Sequence, residues 1–327
     1  MTIRIVASLT RRLAAACLLS AFAFSSALAG YPERPITLVV PYPPGGAADT
    51  LGRILAHHMT KQMPGATFVV ENRAGAGTAI GAGAVARAAA DGYTLLISSN
   101  TTFTLNPALK PSLPYDPLKS FEALGIVGEI PLVLIANAKT PVNSVQELVA
   151  LAKREPGKLS YGSFGYGTTA HFAGEMFKAA ADVDILHVPY NGSSPAMKDL
   201  LANQIPIAVD TNVPVVPQVE AGTIKALAVT SARRLPALPN VPTFAEAGYP
   251  TVDLTSWIAI VTPRGLPAPV RDTLVKAMAA ATQTGKADLE KAGLTVRFEE
   301  PSAYDARVGK ELPAMRALAQ KANMKAP

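Results

Sequence analysis

From Ile36 onward the chain alternates short β-branched runs with stretches in which apolar residues recur every three or four positions. Ile36 to Val40 reads as a strand, Leu51, Ile54, Leu55 and Met59 mark one face of a helix, and Thr67 to Val70 reads as the next strand. Beyond Gly77, the positions Ile80, Ala84, Val85 and Ala88 suit a close-packing helix. Asp91-Gly92 ends it, and Tyr93 to Ile97 forms a third strand. Strand, helix, strand, helix, strand is the order of a parallel α/β sheet.

The order then repeats. Ser144 to Ala152 is a helix opened by a capping box of Ser144 and Glu147. Leu159 to Ser163 is a strand, and Phe172, Met176 and Phe177 lie along the next helix. Ile185 to Val188 is a strand, and Ser194 caps a helix that starts with Pro195. Ile207 to Val209 and Leu227 to Val229 complete a second sheet. Between the halves, the apolar run Ile130 to Ala136 is too short for a globular helix and predicts a strand passing from one lobe to the other. Leu227 to Thr230 is the expected return crossing, after which Ile258 to Val261 and the helices near Val270 to Ala281 and Tyr304 to Ala322 rejoin the first lobe. The expected architecture is α/β, with two lobes joined by two crossing strands and a cleft between them. Lobe 1 is expected at 30–130 plus 231–327 and lobe 2 at 131–230.

The first 29 residues stand outside this grammar. Arg4, Arg11 and Arg12 precede an apolar stretch from Leu13 to Leu28, and Ala27-Leu28-Ala29 offers the small residues of a signal-peptidase site. This predicts a secretory signal peptide at 1–29 and a periplasmic mature protein. The apolar run is short for a ~30 Å membrane core. The single cysteine, Cys17, lies inside this segment, so the mature chain has no thiol for a disulfide, a nucleophile or a metal. The formal charge of +6 includes those three arginines, which leaves +3 for the mature chain. Its basic residues are scattered and not interleaved with aromatics, so nothing points to nucleic acid.

In open α/β sheets ligands bind where strands turn into helices. Four such turns are rich in glycine, hydroxyls and amides: Pro43 to Gly46, Ser98 to Thr102, Ser163 to Thr169, and Asp210 to Asn212. None contains a lysine or arginine. A triphosphate loop requires a lysine after its glycines, and no such motif is present. A single carboxylate can be held by backbone N–H groups at a helix start. Two readings of Gly45-Gly46 therefore stand: an anion site, or merely a tight strand-to-helix turn. "GAGTAIG", Gly75 to Gly81, imitates a dinucleotide fingerprint, but Ile80 replaces its third glycine and no acid ends the strand Tyr93 to Ile97; it reads as a close-packing helix start. Of the four histidines, His57 and His58 fall away from the turns, His187 sits at a strand end and His171 near the expected cleft. No nucleophile elbow and no zinc-ligand spacing occurs, so neither an enzyme nor a metal or cofactor site is expected.

Taken together, "YPERPITLVVPYPPGGAADTLGRILA", "VVENRAGAGTAIGAGAVARAAADGYTLL", "LPYDPLKSFEALGIV", "HVPYNGSSPAMKDLLANQI", "EAGTIKALAVTSARRLPALPNVPTFAEAGYP" and "SWIAIVTPRGLPAPV" resemble the Bug-type periplasmic solute receptors of the tripartite tricarboxylate transporters. The resemblance implies a type II periplasmic binding-protein fold. It also implies a receptor, monomeric, that closes over a small di-, tri- or aromatic carboxylate and delivers it to membrane permease subunits. By carry-over, the ligand is lined by Tyr42, Pro44, Gly45 and Gly46; by Ser99, Asn100, Thr101 and Thr102; by Ser163, Phe164, Gly165, Tyr166, Gly167, Thr168 and Thr169; and by Asp210. Asp210 is the odd member, an acid in an anion site, read either as an orienting group or as the partner of an amino or hydroxyl group on the ligand. Phe164 and Tyr166 depart from the family's usual small residues. With Phe103 they either pack the lobe or flank an aromatic ligand. Trp257 is expected near the hinge or cleft rim. A periplasmic sensor component and an enzyme acting on a carboxylated substrate are the alternatives.

Overall fold

The computed structural model describes residues 30–322 and 324, so the signal-peptide segment and Cys17 lie outside the described residues. The first half builds β1 (Ile36–Val40), α1 (Ala47–Gln62), β2 (Phe68–Asn72), α2 (Ala79–Ala86) and β3 (Thr94–Ser99). A π-turn, Thr101–Leu105, and the short α3 (Asn106–Leu109) then lead to β4 (Phe121–Ile130). After Pro131 the chain enters β5 (Leu132–Asn137), α4 (Val145–Arg154), β6 (Ser160–Ser163), α5 (Thr169–Ala181), β7 (Leu186–Pro189), α6 (Ser193–Leu201), β8 (Ile207–Thr211), α7 (Asn212–Glu220) and β9 (Ile224–Val229). It returns through β10 (Ser256–Pro263), α8 (Ala268–Thr284), α9 (Lys286–Lys291), β11 (Thr295–Glu299) and α10 (Pro301–Lys321).

Two sheets result. The first runs β11-β4-β10-β3-β1-β2 and the second β7-β6-β8-β5-β9. The elements read from periodicity are present, but neither sheet is purely parallel. β1 pairs parallel with β2 and β3, while β10 runs antiparallel between β3 and β4. In the second sheet β6 is parallel to β7 and β8, and β5 is antiparallel to β8 and β9. The members that run against the rest are β5 in the second sheet and β10 and β11 in the first; β5 and β10 are the strands that the chain reaches by crossing between sheets.

Side chains alternate between sheet faces, so each sheet has two cores. On the first, Leu38, Leu95 and Ile260 pack under α1 and α8, and Val39, Leu96 and Val261 pack with Phe103, Phe121, Trp257 and Tyr304 on the other face. On the second, Leu134 and Val209 face Phe172 and Phe177, while Val133 and Ile135 face Met197 and Val215. Phe103 lies almost parallel to Trp257 with ring centres 5.6 Å apart, and both are fully buried. The packing reading of Phe103 is therefore the right one, and Trp257 is buried in a core of the first sheet, at the start of β10 beside the return crossing and not at the cleft rim.

The outward crossing is abrupt. β4 ends at Ile130, Pro131 carries no N–H to continue a ladder, and β5 starts in the other sheet. Asn212 N–H donates to the Pro131 carbonyl (3.0 Å) and Thr230 N–H to Leu132 (2.9 Å), which stitches this junction. The return differs from expectation. Beyond Val229 the chain stays with the second sheet: Leu235, Leu238 and Val241 join one of its cores, and Phe244, Val252 and Leu254 the other. It crosses back only at Thr255, entering β10. The proline-rich stretch 235–250 has no periodicity, so its packing partner was not readable from spacing. α10 also spans both parts. Tyr304 and Val308 sit in the first core, while Leu318 and Ala319 sit in the second, with Pro313 inside the helix between them.

Candidate ligand site between the two sheets

The turns of both sheets face each other and leave a small, partly open cavity of about 40 Å³. From the first sheet it is lined by Tyr42, Gly46, Ala47, Ala48, Ser99 and Ser256, with Ile130 and Ile258 as apolar floor. From the second it is lined by Phe164, Gly192, Ser193, Asp210 and Thr211. Three helix starts converge here. Gly46 caps α1, Gly192 caps α6 and Thr211 caps α7, and none of the three makes a side-chain cap hydrogen bond. First-turn N–H groups have no acceptor within their own helix, so the starts of α1 and α6 turn donors and positive dipole ends toward this space, whereas at α7 the Asn212 N–H is already taken by the Pro131 carbonyl. No lysine or arginine lines the cavity. An anion held there is held by amides and hydroxyls.

Each start is there for a local reason. Gly46 is extended at φ −87° and carries no side chain that could fold back over the first turn. Gly192 adopts φ +111°, and a Cβ there would come within 2.7 Å of the Pro43 ring on the opposite sheet's turn. Only glycine meets both demands at 192. Asp49, in the first turn of α1, accepts from Gly45 N–H (3.0 Å) and Asn72 (3.0 Å) and pairs with Arg53 (2.9 Å). Burial alone would raise its pKa; Arg53, Gly45 and Asn72 together outweigh that and hold it below the ordinary value.

Asp210 lies at the cavity wall, buried. It accepts from Ser193 Oγ at 2.5 Å and from Thr211 N–H at 2.7 Å. Burial pushes its pKa up to about 6 against the lowering effect of those donors. Tyr42 bonds Ser99 at 2.8 Å, and burial raises its pKa as well, so it stays a neutral phenol.

The sequence-predicted residues separate into three groups. Tyr42, Gly46, Ser99, Phe164 and Asp210 line the small cavity. Gly165, Tyr166 and Thr168 line an adjoining, larger compartment. The rest reach neither. Thr169 Oγ1 donates to Asn100 Oδ1 (3.0 Å) and Thr169 N–H to Thr101 Oγ1 (3.2 Å), so Asn100, Thr101 and Thr169 clasp the two halves directly. Thr102 bonds Thr78 (2.8 Å) and Ser98 (2.5 Å). Ser163 bonds His187 Nε2 at 2.7 Å, Gly167 N–H donates to His171 Nδ1 at 3.2 Å, and Gly45 N–H is taken by Asp49. The Pro44 carbonyl accepts from Ser194 across the cleft at 3.1 Å. His171 and His187 stack at 4.0 Å beneath the 163–169 turn. Burial lowers His171 to about 2 and His187 to about 4, so both are neutral supports.

Sequence reasoning missed Gly192 and Ser193. It placed the cap at Ser194, whereas the helix starts at Ser193 behind Gly192. The usable signal was a glycine directly before the serine pair, a turn of the same kind as Gly45-Gly46.

The sequence profile of the tripartite tricarboxylate transporter family receptors matches residues 51–319. Protein BugT of Bordetella pertussis is 39% identical over 236 residues, 72% of this chain and 72% of that protein. Among solved structures, the periplasmic binding protein BugD superposes with a TM-score of 0.86 at 37% identity, covering 90% of this chain and 99% of that one. An R. palustris protein solved with adipate superposes with a TM-score of 0.86 at 34% identity, over 90% of this chain and 99% of that one.

Proposed function

Because the chain belongs to the tripartite tricarboxylate transporter receptor family, a family of solute-binding receptors and not of enzymes, we propose that it captures a small organic carboxylate between its two sheets in the periplasm and hands it to membrane permease subunits. The observation that carries this reading is the convergence of two helix starts without side-chain caps, α1 from one sheet and α6 from the other, on a cavity lined by no lysine or arginine. A phosphate or sulfate would be served by the same donors. The short apolar floor of Ile130 and Ile258 suits a carbon skeleton better. Three or four charge-assisted hydrogen bonds at ~1.5–3 kcal/mol each, less the entropy of association, fit a micromolar ligand. The adipate held by the R. palustris relative supports the class.

We propose the remaining parts of the reading as well. Ligand donors come from both sheets, so the bound form is the closed form and ligand shifts the population toward it. The lobes are proposed as 30–130 with 255–322, and 131–254, the second lengthened past Thr230 by the packing of Leu235 to Leu254. The protein acts as a monomer after removal of its signal peptide. Among the described residues no helix is long and apolar enough to cross a membrane. The ligand-lining set is proposed as Tyr42, Gly46, Ala47, Ala48, Ser99, Phe164, Ser193 and Asp210.

A thermal-shift panel of organic acids followed by titration calorimetry tests this. A stabilising carboxylate, recovered chemically unchanged, is the expected result. Consumption of the ligand would favour an enzyme, and normal growth on that acid after gene deletion would favour a sensor over uptake.

A further inference from the structure

The two ends of α10 are held in different ways. The near end is pinned by directed bonds: Tyr304 Oη donates to the Pro117 carbonyl (2.8 Å), Arg307 pairs with Glu129 on β4 (2.7 Å), and Glu311 accepts from the Trp257 indole N–H (2.8 Å). Beyond Pro313 the character changes. Among the described residues, no side chain from Pro313 to Ala322 makes a hydrogen bond or an ion pair. This far end instead packs Met315, Leu318, Ala319 and Met324 against the second lobe. Met324 N–H donates to the Ala319 carbonyl at 2.9 Å, which turns the chain back onto the same contact.

Methionine is concentrated at this joint. The chain has eight methionines, of which Met1 lies outside the described residues. Met59, Met63, Met197 and Met278 are buried. The three that are partly exposed, Met176 of α5 with Met315 and Met324, all pack against one core of the second sheet, the one that contains Phe172, Phe177 and Ala319. Met324 also lines an open recess with His171, Glu175, Leu186 and His187, so small solutes can approach the joint from outside. A thioether packs as an apolar, adaptable group, whereas its sulfoxide is polar and chiral.

We propose that Met176, Met315 and Met324 form an oxidant-sensitive joint, at which conversion to methionine sulfoxide releases the far end of α10 from the second lobe. The oxidant is a peroxide or hypochlorite. One oxygen atom passes to the thioether sulfur, which loses two electrons; the O–O or O–Cl bond breaks, an S–O bond forms, and the oxidant leaves as water or chloride. Each new S–O group costs free energy to keep against an apolar core, and no directed bond at this end offsets that cost. The near end keeps its bonds to Pro117, Glu129 and Trp257, so α10 stays on the first lobe while its hold on the second is lost. The inference stands apart from the identity of whatever solute the cleft receives.

Limited treatment with hydrogen peroxide, followed by peptide mapping and hydrogen exchange read by mass spectrometry, tests the proposal. Met176, Met315 and Met324 should gain oxygen about tenfold or more faster than Met59, Met63, Met197 and Met278, since susceptibility follows exposure. Amides of 314–321 should then exchange about tenfold or more faster than before treatment, while those of 301–311 keep their rates. The triple variant Met176→Leu, Met315→Leu, Met324→Leu nearly conserves side-chain volume, so it should start with wild-type exchange and resist the peroxide. Oxidation of the buried methionines at the same rate as these three overturns the proposal. So does complete oxidation of the three without faster exchange at 314–321. Equal acceleration along both halves of α10, or in the leucine variant, assigns the effect to general oxidative damage and overturns it too.

Discussion

Two parts of the same cleft use the same chemical vocabulary to opposite ends. Around Thr101 and Thr169, hydroxyls and amides of the two lobes bond to each other, and no cavity remains between them. Around Gly46, Ser193 and Thr211, comparable groups stand back from one another and surround a space. The first arrangement is a clasp and the second a socket. The difference teaches that donor-rich turns identify where lobes meet, whereas a site needs turns whose polar groups bond within their own lobe and leave a space between the lobes.

The sharpest way to break that comparison is to fill the socket. Gly46 has ordinary φ and ordinary room, its nearest cross-lobe neighbour being Ser193 Cβ at 3.7 Å from a built Cβ. Gly46→Leu should therefore fold, with an unfolding midpoint close to wild type, and lose carboxylate affinity by roughly 100-fold or more in calorimetry, because its side chain must occupy the socket. Retained affinity would remove the α1 start from the site.

The next effect is set by Asp210. With its pKa near 6, it is ionised at pH 8 and largely protonated at pH 5. A bound carboxylate is repelled by the ionised form, so affinity should rise roughly tenfold as pH falls from 8 to 5, and Asp210→Asn should flatten that slope. The same group acts on folding in the same direction. Its folded pKa lies above its ordinary 3.8, so its stabilising contribution is present below that value and is lost as pH rises through about 6. Urea unfolding of the ligand-free protein across this range checks the sign.

A smaller and less selective effect is expected at the clasp. Thr169→Val removes the hydroxyl bond to Asn100, worth about 1 kcal/mol to the closed form. All ligands should weaken alike, by roughly fivefold. A change in ligand preference would instead move Thr169 into the socket.

The least effect on affinity belongs to the histidine stack beneath the 163–169 turn. His187 is depressed to about 4 from an ordinary 6.5, so its contribution to stability is present above 6.5 and lost as pH falls toward 4. This runs opposite to Asp210. His187→Gln should remove part of the acid destabilisation, on the order of 2 kcal/mol between those pH values, and change affinity at pH 7 by less than about threefold.

The fold was legible because periodicity survives in the sequence. β1, α1 and β3 are where Val40, Leu55 and Leu96 put them, and Ser144 does cap α4 through Glu147 N–H at 3.1 Å. The return crossing was not legible, since the proline-rich stretch carrying Leu235 and Leu238 has no repeat to reveal its packing side. The cleft-facing turns were legible by composition. Which of their hydroxyls are already bonded was not, because Thr101 and Thr169 are 68 positions apart and only the fold makes them partners.

α10 bears on how such a molecule moves. Two strand crossings alone would let the lobes both bend and twist. A helix anchored by Tyr304 and Val308 at one end and by Leu318 and Ala319 at the other acts as a spar, and it suppresses the twist. Pro313 cannot donate to the Gly309 carbonyl, which gives the spar one compliant point between its anchors. If the lobes open as proposed, such a spar would favour a swing about one axis. Fewer open arrangements would lower the entropy that closure must overcome and would bring the helix starts back into the same register.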